Sequence, residues 1–125
     1  MANEILVIDD NLDIRQLISG ILKDQGLTVR EAANFDQALL EINKKVPDVA
    51  IIDVKLDKGD NDGIELLGHL KKKDEDVPVI MISGHANVQM AVDSLKMGAF
   101  EFLQKPFSSE RLLNFVNRAV ENLDL

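Results

Sequence analysis

Three short runs of consecutive apolar residues limit most strongly what this chain can fold into. They occupy residues 5–8, 49–52 and 79–82. An unbroken apolar run indicates a strand buried on both faces, because a strand with one solvated face alternates apolar and polar residues. Strands of that kind occur almost only in parallel sheets that carry helices on both sides. The chain is therefore predicted to have an α/β fold built around a buried parallel sheet.

Two further strands and five helices complete this pattern. Residues 27–32 alternate as an edge strand does, and residues 100–103 form another largely apolar segment. Apolar residues recur at helical spacing in five intervening segments: Ile14, Leu17, Ile18, Ile21 and Leu22; Ala38, Leu39 and Ile42; Ile64, Leu67 and Leu70; Val88, Ala91, Val92 and Leu95; and Leu112, Val116, Ala119, Val120 and Leu123. Five βα units joined by right-handed crossovers predict a (βα)5, doubly wound, five-stranded parallel sheet.

Residues at the predicted helix ends support these helices. Asn34 precedes the second apolar stripe and is followed three residues later by Gln37, the pattern of a capping box. Ser108 is placed to cap the fifth helix, and Gly26 and Gly98 are placed to end the first and the fourth. Strands and helices are therefore expected to alternate along the whole chain.

Length and charge restrict the class of protein. The 125 residues suffice for one domain with its own core, and we take 1–125 as that domain. The net charge of −8 disfavours nucleic-acid binding by this domain, and no apolar run is long enough to cross a membrane. The absence of cysteine excludes disulfides, thiol catalysis and cysteine-ligated metals. These features are typical of a soluble, cytoplasmic domain.

Five polar residues follow the predicted strands at one edge of the sheet. The carboxyl ends of parallel strands meet at that edge, and ligands of open α/β sheets bind there. The residues are Asp9 and Asp10 after the first strand, Asp53 after the third, Ser83 after the fourth and Lys105 after the fifth. We therefore expect three carboxylates, a hydroxyl and an ammonium to converge.

This set of groups is suited to phosphoryl transfer. Three neighbouring carboxylates raise one another's pKa values unless a cation lies among them, and Mg²⁺ is the expected ion because it prefers oxygen ligands and is commonly shared with phosphates. Lys105 and the Ser83 hydroxyl would contact the other oxygens of a phosphoryl group. Asp53, at the end of the central strand, is the favoured nucleophile and would become an aspartyl phosphate.

The whole chain resembles the receiver domain of bacterial two-component response regulators. The motifs that carry the resemblance are Asp9-Asp10, Asp53, Ser83 and Lys105-Pro106, at the spacing of that family. Residues 81–86 and 98–107 are similar to receivers of the NtrC class, and most similar to NtrX-type nitrogen-regulation regulators. The resemblance covers residues 3–123 and implies the flavodoxin-like receiver fold.

The resemblance also implies a partner and a set of metal ligands. A sensor histidine kinase would donate a phosphoryl group from its phosphohistidine to Asp53. Asp10, Asp53 and the backbone carbonyl of Lys55 would ligate Mg²⁺, and Asp9 would act through water or orient the ligands.

A conformational switch is implied in the same way. Lys105 would pair with the phosphoryl oxygens, its position set by a cis bond to Pro106. Ser83 would move toward the phosphoryl group, and Phe102 would turn inward to fill the vacated space. These movements would change the face built from the fourth helix, fifth strand and fifth helix. Such faces commonly pair two receivers, so a homodimer is a further expectation.

The loop after Asp53 departs from the family pattern. The family has a proline at the fourth position after the acceptor, where Asp57 stands, and its helix-starting glycine comes two residues earlier than Gly63. We interpret the loop as a longer, more mobile, solvated turn, which NtrX-like receivers also have. An EF-hand is excluded, because Lys58 and His69 stand where that motif requires Asp and Glu.

Three alternatives to a signalling phosphoacceptor make different demands on the sequence. A hydrolase or mutase with an aspartate nucleophile needs a second carboxylate two residues after Asp53, where Lys55 stands. A flavin or nucleotide carrier needs a glycine-rich phosphate loop after the first strand, where Asp9-Asp10-Asn11 stands. A degenerate receiver that only binds proteins stays open because of the altered loop. We therefore predict a signalling domain rather than an enzyme.

The resemblance bears on the rest of the protein as well. Regulators of the NtrC class continue into an ATPase and a DNA-binding domain. The chain is therefore expected to be the N-terminal piece of a longer transcriptional regulator, which would contact DNA only through its output domain. A stand-alone receiver stays open as the alternative.

Overall fold

The computed structural model describes residues 3–57, 59, 62–84 and 88–123. Within these ranges strands and helices alternate five times, as predicted. The strands are β1 (Glu4–Ile8), β2 (Thr28–Ala32), β3 (Val49–Asp53), β4 (Val79–Ser83) and β5 (Glu101–Gln104). The helices are α1 (Leu12–Asp24), α2 (Phe35–Lys44), α3 (Asp62–Lys73), α4 (Val88–Lys96) and α5 (Ser109–Leu123). None of the helices in the described ranges has both the length and the apolar character needed to span a membrane.

All five strands lie in one parallel sheet in the order β2-β1-β3-β4-β5. The prediction of a doubly wound parallel sheet is therefore confirmed. The chain moves outward from β1 to β2, then returns past β1 to build β3, β4 and β5 on the other side. This order places the topological switch point between β1 and β3, and the carboxyl ends of these strands flank the crevice where such sheets bind ligands.

Two cores, one on each face of the sheet, account for the unbroken apolar runs. Leu6 and Ile8 of β1 belong to the core packed by α2 and α3, whereas Ile5 and Val7 belong to the core packed by α1 and α5. Strands β3 and β4 are buried along their whole length. Because both faces of these strands are dry, the polar residues at their ends, Asp53 and Ser83, are not explained by packing.

The predicted helix ends are confirmed. Asn34 Oδ1 accepts the backbone N–H of Gln37 at 2.8 Å, and the Gln37 side chain accepts the N–H of the residue before Asn34 at 2.9 Å. Ser108 Oγ accepts a backbone N–H in the first turn of α5 at 3.1 Å. Gly26 and Gly98 follow α1 and α4 with φ angles of 79° and 103°, in the left-handed region that glycine adopts without strain.

The predicted apolar stripe of α4 does not face the core. Val88 is 81% exposed and Leu95 is 47% exposed, whereas Ser94 is buried and Met90 packs against the core. Leu17 of α1 is likewise 51% exposed. Helical periodicity identifies an apolar stripe, but it does not reveal which part of the protein covers that stripe. Helix α4 lies against the edge of the sheet at β5, where little surface is available to bury it.

Candidate functional site

The structure brings the predicted carboxylates together at the carboxyl edge of the sheet. Asp9 follows β1, Asp53 is the last residue of β3, and Asp10 stands beside them. Carboxylate oxygens of all three lie within 4.8 Å of one another. We call Asp9, Asp10 and Asp53 the carboxylate cluster. Asp9 and Asp53 are buried, whereas Asp10 is exposed, so the cluster opens to solvent on one side.

Lys105, which follows β5, reaches into this cluster. Its ammonium nitrogen Nζ lies 2.9 Å from Asp9 Oδ2 and 3.0 Å from Asp53 Oδ2. Burial opposes the charge on the ammonium, but the hydrogen bond to Asp9 and the charge of Asp53 outweigh it and raise the pKa of Lys105. Lys105 therefore offsets part of the negative charge of the three carboxylates.

The pKa of Asp53 is raised above that of an ordinary aspartate. Burial and the neighbouring charge of Asp9 raise the pKa of Asp53 from 3.8 to about 6, against the opposing effect of Lys105. The backbone N–H of Lys55 donates to Asp53 Oδ1 at 3.2 Å and also favours the ionised form. The N–H of Lys55 and the ammonium of Lys105 thus hold the carboxylate in place, but they do not fully offset burial and the charge of Asp9.

Arg15 holds the loop that carries the first two aspartates, a role that we did not predict. Its Nη1 donates to the backbone carbonyl of Asp9 at 2.8 Å, and its Nε pairs with Glu31 at 3.0 Å. The N–H of Asn11 donates to Asp9 Oδ1 at 2.9 Å. Arg15 therefore ties the end of β1 to β2. No spacing or periodicity in the sequence distinguishes it from other charged residues of α1.

The chain matches the family described as the response regulator receiver domain over residues 5–117. It belongs to this family. The nitrogen assimilation regulatory protein NtrX of Azorhizobium caulinodans is 44% identical over 125 residues, which are 100% of this chain and 28% of that protein. The C4-dicarboxylate transport transcriptional regulatory protein DctD of Pseudomonas aeruginosa is 40% identical over 121 residues, 94% of this chain and 25% of that protein.

A solved receiver structure is similar to this chain in both sequence and fold. The receiver domain of NtrX from Brucella abortus superimposes with a TM-score of 0.87 at 44% identity, covering 94% of this chain and 98% of that one. The predicted resemblance to receivers, and to the NtrX type among them, is confirmed. The receiver spans about a quarter of the length of the curated relatives that it matches.

The carboxylate cluster of this receiver fits a magnesium ion. Receiver domains typically bind Mg²⁺ in an acidic pocket, and carboxylate oxygens are the ligands that this ion prefers. Burial and the charge of Asp9 raise the pKa of Asp53, and a divalent cation among these carboxylates would favour their ionised form. Lys55, whose backbone carbonyl is expected to be a further ligand, lines the same cleft of about 500 Å³ as Asp10 and Asp53.

Of the predicted switch residues, Ser83 lies at this cleft, whereas Phe102 lines a separate pocket together with residues of α4 and α5. Ser83 ends β4 and lines the cleft, and its hydroxyl donates to Met90 Sδ at 3.9 Å. Phe102 lies on β5, half-buried, and packs against the core from the edge of the sheet. The bond between Lys105 and Pro106 is cis, as the resemblance implied.

The loop after Asp53 is not a simple solvated turn, because both of its ends are anchored. Asp57 Oδ1 accepts the backbone N–H of Phe35, the first residue of α2, at 2.9 Å. Asp62 Oδ1 accepts the N–H of Leu56 at 2.5 Å, and both residues are 4% exposed. Residues 58, 60 and 61 lie outside the described residues. The interpretation as a solvated turn agrees with the exposure of Asp57 and Gly59 but is wrong at Asp62, which is buried.

The raised pKa of Asp53 makes the stability of the metal-free receiver depend on pH. A folded-state pKa above the unfolded value contributes stability at low pH that is lost as the pH rises through about 6. Asp53→Asn carries no such charge. In a chelator at neutral pH, this variant is expected to be more stable than the wild type by about 1–3 kcal/mol, because each pKa unit corresponds to ~1.4 kcal/mol and the raised pKa already includes the opposing contact with Lys105.

Urea unfolding in a chelator, at acidic and neutral pH, measures this difference. The advantage of Asp53→Asn is expected to shrink in acid, where the wild-type carboxyl is protonated. Asp24→Asn, which alters an exposed residue at the end of α1, is the matched control and is expected to show no such advantage. A metal-free Asp53→Asn protein less stable than the wild type at neutral pH would contradict this account.

Proposed function

We propose that this receiver accepts a phosphoryl group from the phosphohistidine of a sensor histidine kinase onto Asp53. The observation that carries the proposal is the environment of the Asp53 carboxylate. It lies buried at the end of the central strand, 3.0 Å from the Lys105 ammonium and beside two further aspartates, with one side open to a cleft. The receiver family to which the chain belongs supports the same signalling role.

The proposed reaction needs little from the protein beyond position and charge. An oxygen of Asp53 forms a bond to phosphorus as the bond between phosphorus and the kinase imidazole nitrogen breaks, and the electron pair remains on that nitrogen. Lys105 pairs with negative charge on the transferred group, and the Ser83 hydroxyl donates to one of its oxygens. Both contacts stabilise charge in a preorganised site, which is the main source of catalysis in phosphoryl transfer.

A magnesium ion completes this charge balance in the proposal. Asp10, Asp53 and the Lys55 carbonyl would hold the ion, and Asp9 would orient those ligands or act through water. When bound, the ion supplies positive charge that offsets the charge of the carboxylates and of the phosphoryl oxygens. Asp9 is suited to an orienting role because its carboxylate contacts both Lys105 and the N–H of Asn11.

Phosphorylation is proposed to change the face formed by α4, β5 and α5. Ser83 would turn toward the phosphoryl group and Phe102 would turn inward. The exposed apolar residues of α4, among them Val88 and Leu95, make this face a candidate for pairing two receivers. By analogy with NtrX and DctD, the regulator that contains this receiver would act in transcription in the cytoplasm. Its output domain would respond to the changed face and contact DNA.

Intact mass after incubation with Mg²⁺ and a small acyl phosphate tests the proposal. The wild type is expected to gain the mass of one phosphoryl group, and Asp53→Asn is expected to gain none. Asp48→Asn changes an aspartate that precedes the same strand at the opposite end, so this control is expected to be labelled as the wild type is. A folded wild type that takes up no phosphoryl group would favour the alternative, a degenerate receiver that only binds proteins.

A further inference from the structure

Met90 connects the switch hydroxyl to helix α4. It lies in the first turn of α4, and its thioether sulfur accepts a hydrogen bond from Ser83 Oγ at 3.9 Å. The same side chain packs against the core cluster that contains Val54 and Leu56, the residues that follow Asp53. Met90 also lines the cleft next to Asp53. One side chain thus touches the switch, the core and the cleft.

Helix α4 has few other anchors in the described part of the chain. Ser94 is its buried residue, and the Ser94 hydroxyl donates to the backbone carbonyl of Met90 at 3.0 Å. Val88, Val92 and Leu95 are exposed, so their apolar surface does not hold the helix to the sheet. Met90 and the buried Ser94 are therefore two of the residues that seat α4. A helix with so little buried surface shifts at small energetic cost.

We infer that the Met90 thioether is the positioning contact through which movement of the Ser83 hydroxyl reaches α4. This inference rests on the proposed phosphorylation of Asp53. A thioether is a weak hydrogen-bond acceptor, whereas an anionic phosphoryl oxygen is a strong one. When a phosphoryl group is present, the hydroxyl transfers its hydrogen bond from sulfur to that oxygen. Met90 loses this contact and repacks, and α4 moves with it.

The methionine methyl groups allow a direct test by NMR. Met81 lies in the core on β4, Met90 contacts the switch, and Met97 follows the last residue of α4. The receiver is labelled at the methionine methyl carbons and titrated with Mg²⁺ and beryllofluoride, an analogue of the phosphoryl group. A fluorine signal from protein-bound beryllofluoride shows that the site is filled. The Met90 methyl resonance is then expected to shift more than that of Met81.

Variants of Ser83 separate the relay from a merely structural role. Ser83→Ala removes the hydroxyl, so bound beryllofluoride is expected to leave the Met90 resonance nearly unchanged. Ser83→Thr keeps a hydroxyl and is expected to restore the shift. In Met90→Leu, which keeps a side chain of similar size without an acceptor, the response of the Met97 methyl group is expected to fall below the wild-type response.

Three results would overturn the inference while leaving the proposed function intact. The first is a filled site in the wild type with no change at Met90. The second is a Met90 shift of equal size in Ser83→Ala, and the third is a wild-type Met97 response in Met90→Leu. A wild type that shows no bound beryllofluoride and takes up no phosphoryl group from an acyl phosphate would overturn both the inference and the proposed function.

Discussion

Replacing Gly63 by alanine is expected to destabilise the receiver by about 3 kcal/mol or more, because the added methyl group has no room. A Cβ at this position would overlap the backbone oxygen of Asp53 and lie 2.8 Å from the Cα of Val54. Both atoms belong to the backbone at the end of β3 and cannot rotate away. The N–H of Gly63 also donates to the Val54 carbonyl at 2.9 Å, so the first turn of α3 rests directly on that strand.

Gly68 provides the matched control for this prediction, because it lies in the same helix. A Cβ there would meet only the mobile end of the Met97 side chain, at 3.8 Å. Gly68→Ala is therefore expected to stabilise the receiver by roughly 0.5–1 kcal/mol, the usual gain when alanine replaces glycine within a helix. Urea unfolding followed by circular dichroism measures both variants. A Gly63→Ala variant that is as stable as the wild type or as Gly68→Ala would show that the close approach at Gly63 does not limit stability.

The second large effect is expected at Lys105. Lys105→Met is expected to slow labelling by an acyl phosphate about 10²–10³-fold, the usual loss when one preorganised charge or donor is removed from a reacting site. The Lys105 ammonium lies within 3.0 Å of Asp53 and 2.9 Å of Asp9. Without it, the Ser83 hydroxyl and the metal ion would still face the incoming group, but the repulsion between that group and the carboxylates, which Lys105 offsets, would increase. The rate of mass gain at saturating Mg²⁺ measures this loss.

Lys71→Met distinguishes a loss of chemistry from a loss of folding. Lys71 also donates from a partly buried site, to the carbonyls of Glu75 at 3.1 Å and Val77 at 2.6 Å, but it lies at the end of α3. Its removal is expected to lower stability and to leave the labelling rate within about twofold of the wild type, because surface charges far from a site contribute little. Labelling of Lys105→Met at the wild-type rate would exclude a role for this ammonium in the reaction.

Most of the fold could be predicted because burial on both faces of a strand leaves a clear pattern in the sequence. The same pattern also predicted the position of the site, because the polar residues Asp53 and Ser83 stand at the ends of apolar strands. The α4 stripe correctly predicted a helix but did not predict its exposure, because periodicity records the apolar character of a face and not what lies against it. Val88 is apolar and yet 81% exposed.

Other parts of the site depend on contacts between segments that are distant in the sequence. Arg15 acts on the carbonyl of Asp9, and Met90 accepts from Ser83 across the gap between a strand and a helix. Such contacts follow from side-chain direction and packing, which no motif spacing encodes. The close approach of Gly63 to Asp53 is of the same kind, because it becomes evident only when α3 is seated on β3.

The bond between Asp57 and the N–H of Phe35 has a consequence for protein engineering. The loop that follows the acceptor completes the hydrogen bonding of the first turn of α2, so the two segments form one exchangeable unit. A chimera that carries this loop into another receiver would have to carry the start of α2 as well. Grafted alone, the loop would leave its aspartate without its target and the host helix with a mismatched cap.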